Sequence, residues 1–114
     1  MILFQILFDV AEGQRAEFEQ AYRDVFEPAL RKQTGFVTSK LLRIYPAARI
    51  REIEGLSSDY NYEFNFVFET EEARRRWAKS SDHDIAWPVV RALARNVGWR
   101  GYDIVASSER ARTG

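Results

Sequence analysis

The feature that most limits the fold is a regular alternation of side chains over residues 60–69, which have the sequence YNYEFNFVFE. Successive side chains of a strand point to opposite faces, so Phe64, Phe66 and Phe68 share one face. A strand with this many aromatic groups on one side needs a second layer to cover them. The opposite face carries Glu63, Asn65, Val67 and Glu69.

Three other segments have the composition of strands. Residues 2–8 (ILFQILF) are almost unbroken in apolar character, which is typical of a central strand covered on both faces. Residues 36–45 (FVTSKLLRIY) form a second predicted strand that ends before Pro46, and residues 99–106 form the last. The sequence therefore predicts a sheet of four strands.

The first helical region is predicted from about Glu12 to Gln33. Apolar residues recur there at steps of three and four, which is the pattern of one apolar stripe on an amphipathic helix. We expect Pro28 to kink or divide this helix, because proline lacks an N–H donor and clashes with the preceding turn. The stripe comprises Phe18, Tyr22, Val25, Phe26 and Ala29.

The second helical region begins after Thr70, a predicted N-cap that precedes two acidic residues. Residues 80–82 (Ser-Ser-Asp) are expected to interrupt this helix and to be followed by a turn that contains His83. Pro88 is predicted to be the first residue of a further helix, which ends at Gly98. The buried side of that helix would comprise Val89, Val90, Leu93, Ala94 and Val97.

Residues 46–59 are open to two interpretations. Ile50 and Ile53 suit a helical turn that ends at Gly55, whereas residues 49–54 also alternate as a strand would. We favour an irregular excursion or an extension of a hairpin, and this segment could also form a lid.

The element order β-α-β-β-α-β predicts a ferredoxin-like α+β fold with two helical regions on one face of an antiparallel sheet. A chain of 114 residues has room for one such domain, which we assign to residues 1–106, with a polar tail over 107–114. The sheet face away from the helices would expose large apolar groups. We therefore predict a homodimer in which two sheets pack face to face.

Charge and residue counts exclude several classes of function. Seventeen basic residues balance seventeen acidic ones, which argues against binding to nucleic acid or to a membrane surface. Cysteine is absent and His83 is the single histidine, so thiolate chemistry and a site with several histidines are excluded, and no metal site is predicted. No signal peptide is recognised, so we expect a cytoplasmic protein.

Two motifs that suggest known chemistry do not support it. Ser80, Ser81 and Asp82 stand beside His83, but consecutive residues cannot place a nucleophile in line with its base, and serines before a helix are usually caps. The stretch 98–101 (GWRG) is too short for a phosphate-binding loop and precedes a strand. Neither hydrolytic nor nucleotide-binding chemistry is expected.

Several motifs, taken with the element order, resemble the antibiotic biosynthesis monooxygenase family, whose members are small dimeric α+β-barrel proteins. The resemblance covers residues 2 to about 105. The motifs are KQTGFV (32–37) leading into LLR (41–43), NFVFET (65–70), and Trp77 and Ser81 with His83.

One branch of that family oxidises anthrone-like polyketide intermediates with O₂ and without a cofactor. The resemblance implies that Asn65 matches an asparagine on the third strand of that branch. A tryptophan four residues later in the branch is Glu69 here. By this resemblance the protein is a cofactor-independent monooxygenase of an aromatic or polyketide-like small molecule.

A second branch degrades haem with an asparagine on the first strand and a tryptophan and a histidine on the second helix. Trp77 matches the tryptophan of that branch. The histidine is replaced by Trp87, and Gln5 and Ile6 stand where the asparagine is expected. Haem binding or degradation is therefore the less favoured alternative.

The expected roles follow from the chemistry of O₂, which reacts poorly with closed-shell molecules but accepts one electron from an enolate or phenolate. The protein must hold such an anion in a dry pocket. We assign His83 as the proton acceptor and Asn65 as the donor to the developing oxyanion. The expected pocket wall comprises Trp77, Trp87 and Tyr62.

Each assignment has a structural alternative. Glu69 could act as a base in the site or could pair with Arg43. The aromatic residues could belong to the core, and His83 could satisfy backbone groups at a helix start. A non-catalytic dimeric module that binds a small apolar ligand is therefore the second hypothesis.

Overall fold

The computed structural model describes residues 1–110, so the last four residues of the predicted tail over 107–114 lie outside the described part of the chain. A four-stranded antiparallel sheet has the order β2-β3-β1-β4 and carries the helices on one face, which confirms the predicted ferredoxin-like α+β fold. The strands are β1 (Ile2–Asp9), β2 (Phe36–Arg43), β3 (Tyr62–Phe68) and β4 (Asn96–Asp103).

The strand register separates two faces of the sheet. In β1, Phe4, Ile6 and Phe8 lie opposite Phe66, Phe64 and Tyr62 of β3, and these side chains face the helices. We call this side the helical face and the other side the open face. The open face carries Leu3, Gln5 and Leu7 of β1 and their partners Val67, Asn65 and Glu63.

The first helical region is divided, as Pro28 predicts. It consists of α1 (Arg15–Ala21), a π-helical stretch (Tyr22–Phe26) and α2 (Glu27–Arg31), preceded by one 3₁₀ turn at Glu12–Gln14. In the π-helical stretch the Glu27 N–H donates to the Tyr22 carbonyl, which widens the helix by one residue. This widening accommodates Pro28, because the ring nitrogen of proline carries no hydrogen and cannot donate to the carbonyl four residues before it.

The second helical region differs from the prediction. It consists of α4 (Glu71–Ala78) and α5 (Ser81–Arg91), so His83 lies in the first turn of a helix and Pro88 lies inside that helix. The physical reason is the Ser80 side chain, which accepts from the His83 N–H at 3.1 Å and starts α5 seven residues earlier than Pro88 would. Val97 and Gly98 belong to β4.

Residues 46–59 contain a helix, α3 (Ala47–Glu52), so the helical interpretation was correct and the favoured irregular excursion was wrong over these residues. The Gly55 N–H donates to the Ile50 carbonyl, and Glu54 occupies the left-handed region with φ of 53°. This is a Schellman ending with a glutamate at the position that usually favours glycine.

The core is an aromatic cluster between the helical face and the helices. Phe64 is fully buried, and its ring centroid lies 4.5 Å from that of Phe8, 4.9 Å from Tyr22 and 4.8 Å from Phe26. The packing of these rings stabilises the fold, because it buries apolar surface and brings the rings together in the tilted arrangements that aromatic pairs favour. The sheet is therefore held to the first helical region chiefly through β3.

Tyr62 anchors one end of this core through its hydroxyl group. The Tyr62 hydroxyl donates to the Glu19 carboxylate at 2.5 Å, and Arg43 Nη2 donates to the same oxygen at 2.6 Å. These two hydrogen bonds hold the pKa of Glu19 below its usual value, and burial raises the pKa of Tyr62. The Glu19 carboxylate of α1 therefore joins this helix to Arg43 of β2 and to Tyr62 of β3.

We expect the Glu19 contacts to make the free energy of unfolding depend on pH in the acid range. Because the pKa of Glu19 is lower in the folded protein, its stabilisation is fully present above pH about 4.5 and is lost as the pH falls through the folded value. Glu19→Gln should lower the free energy of unfolding by about 1 kcal/mol at neutral pH and by less in acid. Urea denaturation between pH 3 and 7 measures this difference.

Glu17→Gln is the matched control, since Glu17 lies on the same helix and is exposed. An equal loss of stability for both variants, or a loss that does not shrink in acid, would contradict the assignment.

Candidate active site

A cavity of about 300 Å³ lies between the helical face of the sheet and helices α4 and α5. Its walls are mainly aromatic, so we call it the tryptophan pocket. The aromatic walls are Phe4, Phe26, Phe66, Trp77, Trp87 and Trp99. This volume is at the lower end of the range for small-molecule sites.

The break between α4 and α5 positions two of the predicted site residues. The Ser80 hydroxyl donates to the Trp77 carbonyl at 2.7 Å and accepts from the His83 N–H at 3.1 Å. One side chain therefore ends the turn that carries Trp77 and begins the helix that carries His83. Trp77 and His83 consequently lie edge to face, with ring centroids 5.1 Å apart.

His83 is enclosed by indole rings and has an unsatisfied nitrogen. Its ring lies nearly parallel to that of Trp87, with centroids 6.3 Å apart and planes at 16°. The Nδ1 atom is buried and has no hydrogen-bond partner among residues 1–110. The nearest carboxylate oxygen, of Asp84, is 3.7 Å away on a side chain that is 74% exposed. A polar nitrogen left in this state costs about 1–3 kcal/mol unless a ligand or water satisfies it.

Arg74 supplies the other polar group in the wall of the pocket. Its guanidinium lies over the Phe4 ring, 4.8 Å from the ring centroid. Glu71, one turn earlier on α4, accepts from Arg74 Nη2 at 2.6 Å, and this ion pair raises the pKa of Arg74 and lowers that of Glu71. The Arg74 side chain is 19% exposed, whereas that of Arg75 is 66% exposed.

Three predicted site residues therefore come together, and three do not. Trp77, His83 and Trp87 line the pocket, whereas Asn65 lies on the open face. The expected meeting of Asn65 with His83 does not occur, because Phe64 and Phe66 face the helices and the side chain between them must face the other way.

Tyr62 and Glu69 also lie outside the tryptophan pocket. Tyr62 is 1% exposed in the core beside Glu19, at the opposite end of β3 from Phe66 and Phe68. Glu69 is exposed just beyond β3. The proposed pair of Glu69 with Arg43 is not formed, since Arg43 binds Glu19.

Several residues of the pocket wall were not predicted from the sequence, and Arg74 and Trp99 are the two of these that carry an N–H donor in the side chain. Arg74 precedes Trp77 by three positions on α4 and therefore shares its face, although the composition of residues 74–76 suggests three solvated arginines. Trp99 lies on β4 opposite Ile6 and is 60% exposed at the mouth of the pocket. Helical spacing from Trp77 was a signal for Arg74, whereas Trp99 needed the register of β4.

A second and larger cavity, of about 580 Å³, lies beside α3 and holds none of the predicted site residues. Three arginines line it together with Tyr45, Tyr60 and a mixture of apolar and small polar residues; the arginines are Arg15, Arg43 and Arg51. We place the candidate site in the tryptophan pocket, because it combines three tryptophans in its wall with a residue, His83, that has a buried unpartnered nitrogen.

Residues 1–110 contain neither a cluster of metal-ligating side chains nor a membrane-spanning helix. No group of three or more His, Cys, Asp or Glu side chains comes close enough together to hold a metal ion in this range. None of the helices in the same range is both long and apolar enough to cross a bilayer.

The fold and the pocket define a ferredoxin-like α+β protein with an aromatic cavity between its sheet and its second helical region, and solved structures share this fold. SnoaB from Streptomyces nogalater, a cofactor-independent oxygenase, has a TM-score of 0.69 at 22% identity over 96% of this chain and 94% of its own. MhuD, solved with manganese protoporphyrin IX, has a TM-score of 0.73 at 19% identity over 96% of this chain and all of its own.

A third structure is a candidate antibiotic biosynthesis monooxygenase from Nitrosomonas europaea, with a TM-score of 0.70 at 11% identity over 93% of this chain and 100% of its own. Two others are described as dimeric ferredoxin-like proteins. The sequence matches no protein-family model and no curated protein. The resemblance to antibiotic biosynthesis monooxygenases is thus confirmed at the level of the fold.

We expect Ser80→Ala to destabilise the protein by about 1 kcal/mol, because the N-cap of α5 is lost. It should also change the intrinsic tryptophan fluorescence, since the Trp77 carbonyl loses the hydroxyl donor and keeps the backbone N–H donor of residue 80. Ser81→Ala is the control, because Ser81 is exposed and makes no side-chain hydrogen bond within residues 1–110. Chemical denaturation followed by fluorescence measures both, and equal effects would refute the positioning role of Ser80.

Proposed function

We propose that the chain binds a flat aromatic small molecule in the tryptophan pocket and oxidises it with O₂ as a cofactor-independent monooxygenase. The observation that carries this proposal is the unpartnered Nδ1 of His83 between Trp77 and Trp87. Indole rings favour a planar ligand, and a buried imidazole nitrogen favours a ligand with a proton to share. The fold shared with SnoaB supports the same reaction class.

The reaction would begin with proton transfer from an activated ring CH₂ or phenol to His83, which leaves an electron-rich carbanion or phenolate. That anion passes one electron to O₂, and the two radicals combine to form a C–O bond. The resulting peroxide anion takes back the proton from His83, and the hydroperoxide so formed loses its terminal oxygen as hydroxide while the same carbon loses its second proton. The two departing groups make water, and a carbonyl group is left. One oxygen atom enters the product and the other leaves as water, with all four electrons supplied by the substrate.

In this proposal the protein positions the anion, excludes water and moves the proton. Phe4 and Phe66 from the sheet, with Trp77 and Trp87 from the helices, make a wall of low polarity. A water-poor site strengthens the interaction between an anion and the few polar groups present. Asn65 has no part in this proposal, because it lies on the open face of the sheet.

A non-catalytic ligand-binding module is the second candidate. The sheet contributes Phe4, Ile6, Phe66 and Trp99 to the pocket. The indole N–H of Trp99 is the one side-chain donor among these four residues, and no amide, hydroxyl or charged group accompanies it. Such a lining suits tight binding of an aromatic ligand without turnover.

The test is O₂ uptake with 1,8-dihydroxyanthrone in the presence of a metal chelator. The wild type should consume one O₂ per substrate and form the quinone. His83→Phe keeps an aromatic ring against Trp87 but removes the base, and we expect it to slow turnover by about 10²–10⁴. Ile85→Ala is the control, since Ile85 is 70% exposed on the same helix.

Quenching of tryptophan fluorescence by the quinone product separates the two candidates. Quenching without O₂ uptake above the buffer rate would favour the binding module, and equal rates for wild type and His83→Phe would refute the role of His83. A hemin titration with no change in the Soret band is expected, and a shifted band would favour the haem alternative.

We also propose that the protein is a homodimer joined through the open faces of two sheets. Leu7 and Val67 lie at the centre of this face, and Leu42 is 38% exposed at its edge. The Asn65 Oδ1 atom is buried there without a hydrogen-bond partner within residues 1–110. A donor from a second copy would satisfy it.

We expect Leu42→Glu to raise the dimer dissociation constant at least tenfold, because a charge would enter the apolar part of the interface. Ile85→Glu places the same charge on α5, in the helical layer, and should leave the dimer intact. Light scattering coupled to gel filtration measures both variants. A wild type that is monomeric at micromolar concentration would contradict the dimer.

A further inference from the structure

We propose that Arg74 binds an ionised oxygen of the pocket ligand, so that the ligand class is an acidic hydroxylated aromatic compound bound as its phenolate. This inference rests on the aromatic site proposed above and names the chemistry of its ligand. It assigns a positioning role to a residue that lies in an arginine run and that the sequence pattern places on a solvated surface.

The first step of the argument is the geometry of the guanidinium group. Glu71 accepts from Arg74 Nε at 2.9 Å and from Nη2 at 2.6 Å, which fixes one side of the planar group. The Nη1 atom makes no hydrogen bond within residues 1–110. A guanidinium held in this way presents its remaining donors in a defined direction and loses little entropy when it binds an anion.

The second step is the location of Arg74. It lines both the tryptophan pocket and a smaller cleft of about 260 Å³, and Phe4 is the other residue that the two spaces share, so the Arg74 side chain borders both. Contact with the Phe4 ring places it against the sheet. Its helical neighbours Arg75 and Arg76 are exposed and do not line the pocket.

The third step is the charge of the tryptophan pocket. Among residues 1–110 no carboxylate lines it, and Arg74 is the one cationic side chain in its wall. Within the same residues, His83 supplies the other ionisable group of the wall. Glu71 occupies the Nε and Nη2 side of Arg74, so a ligand has to offer an oxygen acceptor to the free Nη1 donors, and an ionised oxygen is the stronger acceptor. The same ligand needs a group that can share a proton with His83. A planar aromatic molecule with an acidic hydroxyl group meets both requirements and fits the indole walls.

The consequence for the proposed reaction is that Arg74 would stabilise the anion that O₂ oxidises. A guanidinium contact favours the charged form of a phenol and so lowers its pKa in the complex. His83 would then act on a substrate that is already oriented by its oxygen. Arg74 thus serves as a positioning group at the rim and His83 as the proton acceptor within.

The test measures the binding of 2-hydroxyanthraquinone and 2-methoxyanthraquinone, so it does not depend on catalytic turnover. The wild type should bind the hydroxy compound at least tenfold more tightly than the methoxy compound above the phenol pKa. Absorbance should show the phenolate form persisting in the complex to a pH at least one unit lower than in free solution. Arg74→Gln should reduce the affinity ratio to near one and abolish the shift, and Arg75→Gln should change neither.

The affinity ratio compares two ligands on one variant, so partial unfolding of Arg74→Gln does not alter the ratio. Arg74→Lys keeps the positive charge but lacks the planar, forked guanidinium group, and it should give an intermediate ratio. A ratio in Arg74→Gln equal to that of the wild type would overturn the assignment, as would failure of both quinones to bind. Selective binding without O₂ uptake would support Arg74 and refute the oxygenase reaction, so the two failures are distinguishable.

Discussion

Phe64 is the point at which the sheet and the helices meet, and the rest of the structure depends on its burial. Its ring contacts aromatic groups from β1, from α1 and from the π-helical stretch, with centroids 4.5–5.4 Å apart. Such close packing leaves no room for a ligand at the centre of the helical face.

Space for a ligand arises at the end of the sheet where the second helical region crosses it. There α4 stops and α5 starts within three residues, and Ser80 satisfies backbone groups on both sides of the break. The indole rings of Trp77 and Trp87 line the cavity there together with the imidazole of His83. The helix break thus produces the pocket and sets the direction of His83.

The alternation of β3 explains why the predicted site residues separate into two groups. The same pattern that places Phe64 and Phe66 against the helices sends Asn65 to the open face. The alternation of residues 60–69 already indicates that Asn65 and the phenylalanines point to opposite faces of the sheet. Assigning Asn65 to the pocket followed the family resemblance and not the face that the strand period requires.

The sequence by itself determined the four strands, the division of the first helical region at Pro28 and the aromatic face of the sheet, because periodicity and proline act locally. Only the tertiary structure decided that α5 starts at its serine cap, that Arg74 leaves its solvated neighbours to line a pocket, and that Trp99 stands at the pocket mouth. These features depend on contacts between residues distant in the chain, and strand register and helix packing create such contacts only when the sheet and helices assemble.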